Sequence, residues 1–262
     1  MNDLIATLLW PTVTLVAGAV LLAPLGVEVL RRGIVFVDLA IAQAAALAAL
    51  LVQMRWHDAG SPLAVAAAGI LGATVAAMLV RLLASRLARG REAAIGLLYV
   101  AGASGGLIAS AYDAHGAAHF THLLAADVLW ADRAQALTLG VLAFMVLVLA
   151  RRRGLLERDG VFYAALGIAV APALMALGLY AVFALLIAPA LWSALRVRST
   201  AGRPSAVKFA VTSALAALAL SVALDLPSGA TVACVVSLAG LLPTIRRHGT
   251  HGETVDPTAG SS

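Results

Sequence analysis

Apolar runs separated by short polar and basic clusters organise this chain from end to end. They cover Leu4 to Val27, Gly33 to Met54, Pro62 to Val80, Ala93 to Tyr112, Ala134 to Ala150, Gly160 to Leu195, Phe209 to Leu224 and Leu226 to Ile245. Seven of the eight are about 16 to 24 residues long and carry at most one charge, while a bilayer core of about 30 Å needs roughly 20 apolar residues per helix. The pattern predicts an all-α, polytopic integral membrane bundle of 8 to 9 transmembrane helices, because backbone cannot cross lipid as an open sheet. Residues 1–247 read as one transmembrane domain and 248–262, rich in Gly, Thr, His and Ser, as a flexible C-terminal tail.

The sixth run, about 36 residues, is too long for one ordinary span and slightly short for two. Pro172, Gly178 and Pro189 each offer a place to break it. If it crosses twice, the dense basic clusters all fall on one side: Arg31 and Arg32; Arg81, Arg86, Arg89 and Arg91; Arg151, Arg152, Arg153 and Arg158; Arg196, Arg198, Arg203 and Lys208; Arg246 and Arg247. That is 16 of the 18 basic residues, with Arg55 and Arg133 opposite. Nine crossings, with the N-terminus outside and the C-terminus inside, satisfy this charge bias. The first run follows Met1-Asn2-Asp3, lacks a positive n-region and an A-x-A-like site, and reads as a first span. Residues 113 to 133 form the longest outer connection. Their apolar positions allow a short re-entrant helix or an ordinary amphipathic loop.

Composition narrows the functions. Apolar residues make up 62% and charged residues 12%, against roughly a quarter charged in soluble domains. The basic residues sit in short loops where they set topology, so nucleic acid is not an expected partner. The only lysine is Lys208, so no G-x-x-x-x-G-K-[ST] loop exists, and ATP would have to bind another subunit. A lone Cys234 excludes disulfides and multi-cysteine metal sites within the chain. The small-residue stretches Ala66 to Gly69 and Gly102 to Gly106 make the third and fourth spans expected interior helices.

Chemistry concentrates at few positions. Asp38 is the only carboxylate well inside a run, with Gln43 five residues later. An intramembrane charge costs a few kcal/mol and points to function, against the alternative of a snorkelling or helix-capping aspartate. Glu28 reads as the i,i+4 partner of Arg32. His115, His119 and His122 would share one face of a helix, with Asp113 and Asp127 as nearby oxygen donors. They could contact metal or lie in a solvated loop. The segment Asp225-Leu226-Pro227-Ser228-Gly229 is a tight turn that structure alone explains.

Several of these segments resemble the permease subunits of ABC-type zinc and manganese importers, the ABC-3 family. Gly26-Val27-Glu28-Val29-Leu30-Arg31-Arg32 is similar to that family's end of the first helix, and Glu92-Ala93-Ala94-Ile95-Gly96 to its E-x-A-I-G segment. His122 to Leu129 resembles its H-x-L-F-G-D-x-L helix, Ala184 to Ala190 its A-L-L-I-x-P-A signature, and Leu224 to Thr231 its L-D-L-P-S-G-A-T turn. The resemblances occur in family order over nearly the whole chain.

The resemblance implies a homodimer of permeases in the bacterial cytoplasmic membrane. Cytoplasmic ABC ATPase subunits would hold the ATP, and a periplasmic or lipid-anchored metal-binding protein would deliver Zn or Mn. No cofactor would be bound permanently and no catalytic residue would be needed. It also implies a metal pathway through Asp38, Gln43, His122 and Asp127, metal entering past His115 and His119, and ATPase coupling at Arg153, Glu157 and Asp159. The family's D-x-x-x-H pair departs here: Asp38 is followed four residues later by Ala42, and Gln43 lies about 100° beyond that face. A shifted register would keep Gln43 at the ligand position and displace Asp38. Either Gly160 to Leu195 crosses twice and the family's coupling helix is reduced to Arg151 to Asp159, or that stretch crosses once. Other classes, a secondary transporter or a membrane-embedded metalloprotein, would show several intramembrane charges, an inverted repeat or an H-E-x-x-H motif, and the sequence has none of these.

Overall fold

The computed structural model describes residues 2–55, 62–87, 91–110, 128–152, 154–196 and 202–248. Its helices are α1 (Asn2–Arg32), α2 (Val37–Arg55), α3 (Pro62–Arg86), α4 (Arg91–Ser110), α5 (Arg133–Arg151), α6 (Asp159–Leu177), α7 (Leu179–Arg196), α8 (Gly202–Leu224) and α9 (Ser228–His248). One 3-10 turn, Val128–Trp130, precedes α5. Among the described residues seven helices are long and apolar enough to cross a membrane, and α7 and α9 add shorter apolar stretches, Leu179–Leu195 and Ser228–Leu242. The expected helical membrane bundle is therefore the observed fold. Of the tail, His248 is still helical, and 249–262 lie outside the described residues.

Local chemistry sets the breaks. The 36-residue run divides at Gly178, whose φ of 78° suits a residue without a β-carbon. Pro172 and Pro189 remain inside their helices. Gly33, at φ 64°, ends α1 and lets the chain reverse into α2. Asp132 begins α5 with a capping box: its carboxylate accepts from the Gln135 amide at 2.8 Å, and the Gln135 side chain accepts from the Asp132 amide at 3.2 Å. At the α8–α9 turn Asp225 takes φ 52°, a region aspartate tolerates better than most residues. The Leu226 amide donates to the Ser221 carbonyl at 2.9 Å, and the Ser221 hydroxyl donates to the Leu226 carbonyl at 2.7 Å. The reversal that the sequence predicts at Asp225 to Gly229 is thus present, held by Ser221 and Leu226.

Packing makes α1 the axis of the bundle. It touches α5, α7, α8 and α6, while α2, α3 and α4 form a second group bridged to it through α6. Glycines allow the closest approaches. A β-carbon at Gly26 would collide with the Leu186 carbonyl of α7, one at Gly240 with Ala188, and one at Gly72 with Ala44 and Ala48 of α2. The expectation that the third and fourth spans are interior is corrected. They are among the least buried spans, and α1, α2 and α6 are the most buried. The small residues of α3 and α4 form one face that packs on α2, whereas Leu63, Leu71, Leu97 and Leu107 point outward. A wide coat of exposed apolar side chains like this suits lipid and is uncharacteristic of a water-soluble surface.

Contacts along the helices also settle which way the long run travels. Gly160 lies beside the Arg81 guanidinium and Gly167 beside Thr74 and Ala77, so α6 rises antiparallel to α3. Leu177, at the end of α6, reaches Gly18 and Leu186 of α7 reaches Gly26, so beyond the Gly178 break the chain descends parallel to α1. The α6–α7 pair thus enters and leaves at the same end. Arg31, Arg32, Arg81, Arg151, Arg158 and Arg203 gather there. At the other end Arg133 lies 5.9 Å from the Trp10 ring. This is the arrangement that the charge bias of nine crossings requires.

Candidate functional site

Helix α2 carries the unusual polar groups. Asp38 is 1% exposed and Gln43 is 2% exposed. Among the described residues no side chain pairs with either Asp38 carboxylate oxygen, and Gln43 Oε1 has no hydrogen-bond partner. Buried polar atoms without partners cost about 1–3 kcal/mol each and need an explanation. A second arrangement of the bundle, or a bound cation, would provide one.

Two details differ from the sequence reading. Helix α2 begins at Val37, so Asp38 stands in its first turn and not several residues into the helix. There the free amides and helix dipole favour a carboxylate. Its burial excludes snorkelling. Although Asp38 and Gln43 lie about 140° apart around the helix axis and about 7.5 Å apart along it, both are interior, because α2 is flanked by α3, α4 and α6. Gln43 faces the glycine cluster of α4: a β-carbon at Gly102 would stand 3.0 Å from Gln43 Cβ. The D-x-x-x-H geometry is therefore not needed for two buried oxygen donors on one helix.

Glu92 also belongs to this end of the molecule. Its Oε1 accepts the Val35 amide at 2.7 Å, tying α4 to the α1–α2 reversal, and its Oε2 is buried without a partner among the described residues. The signal was its place before an apolar run. Its bond across 57 residues could not be read locally.

The second polar centre is an ion-pair network at the basic end. Glu28, 2% exposed, accepts from Arg32 at 2.6 Å, from Arg31 at 3.1 Å and from Arg203 at 2.5 Å. The expected Glu28–Arg32 pair is present, and Arg203 joins it from α8. Glu157 accepts from Arg31 and Arg203 at 3.4 Å each, and its carbonyl accepts from Arg32 at 2.8 Å. Asp159 accepts from Arg32 at 3.4 Å. Arg32 also lies 4.1 Å from the Phe162 ring, a cation–π contact. Glu157 and Asp159, assigned to ATPase coupling by resemblance, thus join α6 to α1 and α8. Between α5 and α6 the chain makes turns, with Leu156 buried as a plug and Gly154 at φ 77°.

His115, His119, His122, Asp127 and Arg153 lie outside the described residues. Among the described residues no three of His, Cys, Asp and Glu come together. The Ala184 to Ala190 signature is interior packing: Ala184, Leu185, Leu186, Ala188 and Ala190 are buried, and α7 packs against both α1 and α9.

No protein-family model and no curated protein matches the sequence. The fold has a solved counterpart. It is that of PsaBC from Streptococcus pneumoniae, determined in complex with Fab. The TM-score is 0.70 with 15% identity, over 90% of this chain and 90% of that one. At that identity the likeness concerns the fold. The chain is a multi-pass helical membrane protein with the architecture of PsaBC.

Proposed function

We propose that this chain is the membrane-spanning permease subunit of an ATP-binding-cassette importer that carries a divalent transition metal, Zn or Mn, into the cytoplasm. The observation that carries the reading is the fold shared with PsaBC over 90% of the chain. The ordered segments that resemble ABC-3 permeases support it. The basic end would face the cytoplasm of a bacterium and receive the ATPase, with Arg153, Glu157 and Asp159 near the contact. A periplasmic or lipid-anchored binding protein would dock opposite, and a second copy would complete the pathway.

Asp38 and Gln43 would supply oxygen donors to the passing cation. Carboxylate and amide oxygens suit Mn, whereas imidazole and thiolate donors suit Zn, so the oxygen donors on α2 lean towards Mn. ATP would act through the partner subunit, and its coupling must arise from contacts that differ between the two states of the permease. The Glu28 and Glu157 network, spanning three helices, is the element with such contacts to exchange.

The test is uptake of Zn and Mn in importer-deficient cells that express this chain with its candidate ATPase. Asp38→Asn should lower uptake at least tenfold with membrane insertion intact. Inactivating the ATPase should abolish uptake. Uptake that persists without ATP hydrolysis would overturn the importer reading, and unchanged uptake by Asp38→Asn would remove that residue from the pathway.

A further inference from the structure

A groove runs between α5 and α6 on the outside of the bundle. It encloses about 330 Å³ and is lined by Leu142, Met145 and Leu149 on α5 and by Gly160, Ala165 and Ile168 on α6, among other apolar groups. That volume lies within the roughly 300–1,000 Å³ of ligand pockets. Its lining is apolar throughout. Leu142 to Leu149 and Gly160 to Ala169 correspond to about 10 and 14 Å of helix rise. Half of a hydrocarbon core of about 30 Å is about 15 Å, so the groove fits within one leaflet.

Its mouth is at the basic end. The Arg81 guanidinium lies over Gly160, so that a β-carbon there would stand 3.4 Å from Nη1. Arg151 and Arg152 follow Leu149 by two and three residues, and Arg158 precedes Gly160 by two; all four arginines are exposed. The nearby carboxylates are Glu28, Glu157 and Asp159, and these are paired with Arg31, Arg32 and Arg203. Among the described residues Arg81 therefore stands at the basic end of an apolar slot one leaflet deep, Arg151, Arg152 and Arg158 flank that end in sequence, and no carboxylate pairs with any of the four.

We propose that this groove is a binding site for an anionic phospholipid, with an acyl chain along α5 and α6 and the phosphate at Arg81 and its neighbouring arginines. Basic pockets between membrane helices recognise anionic headgroups through charge and hydrogen bonds. A phosphate at Arg81 would join α3 to the α5–α6 connection. That connection already carries Glu157 and Asp159, so bound lipid would brace the same end of the bundle.

The full chain, purified in neutral detergent, would be titrated with phosphatidylglycerol or phosphatidylcholine of identical acyl chains, and bound lipid counted by native mass spectrometry. Phosphatidylglycerol should be retained more strongly, and Arg81→Gln should weaken it about fivefold, as loss of one arginine near a lipid surface predicts. Arg81→Lys should recover most of the difference, and Arg55→Gln at the opposite end should change nothing. Ala165→Phe should fill the slot and lower retention of both lipids. If that variant fails to fold, Met145→Trp at the groove rim serves the same purpose. Equal retention of the two lipids, or a preference untouched by Arg81→Gln, would overturn the proposal. So would a groove-filling variant that alters the oligomeric state while leaving lipid binding unchanged, since a second protein copy would then occupy the groove.

Discussion

Glu28 shows how one residue can be anticipated from spacing and still be understood only in three dimensions. Its distance from Arg32 predicts one ion pair, but the carboxylate serves three arginines while nearly all of its own surface is hidden. Glu28→Gln would leave Arg32 with only Asp159 and Arg203 with only Glu157 as counter-charge, each at 3.4 Å. The expected cost is about 3 kcal/mol, the low end for breaking a buried pair, since both arginines keep some contact with solvent. Glu157→Gln removes a carboxylate that is half exposed and should cost under about 1 kcal/mol. Thermal unfolding of the two purified variants side by side checks the ranking, and equal midpoints would contradict it. Asp38 differs from Glu28 in lacking a side-chain partner among the described residues. Paired burial describes a structural acid, and unpartnered burial a functional candidate.

At the scale of helices, glycine positions separate into tight and open ones. Gly26 abuts the Leu186 backbone, where nothing can yield cheaply, and Gly26→Ala should destabilise by about 1–3 kcal/mol through overpacking of α1 on α7. Gly96 meets nothing within 4 Å. Gly96→Ala, inside α4, should be neutral or stabilising by up to about 1 kcal/mol from helix propensity. Unfolding measurements on this pair test whether the α1–α7 contact is as close as described. The distinction is illegible in sequence, where both glycines sit in apolar surroundings. The same reason explains why α3 and α4 were expected inside. Small residues report that a helix has one close neighbour, and they do not report how many faces are covered.

For the whole molecule, the decisive feature is that the α6–α7 pair returns to the end it came from. Single-cysteine variants in a Cys234→Ser background test it in intact cells. An impermeant maleimide should label Trp130→Cys, which is 86% exposed beside α5, and should not label Arg152→Cys at the basic end. Labelling of Arg152→Cys from outside would reverse the orientation. A second site, Lys208→Cys on α8, should behave like Arg152→Cys if α6 and α7 both cross. Labelling there alone would mean that the long run crosses once.

Hydropathy and charge by themselves determined the helical class, the number of apolar runs and their common basic end, because bilayer thickness and charge bias act on each segment independently of its neighbours. They also isolated Asp38, since a carboxylate amid apolar residues stands out without any contact information. Only the tertiary structure decided that Gly178 and neither proline divides the long run, that Asp38 sits in a first helical turn, and that Arg203 joins Glu28 across 175 residues. These features depend on which helix faces which. In lipid that choice is made by close packing and buried polar pairing between segments distant in sequence, and no local window contains both partners.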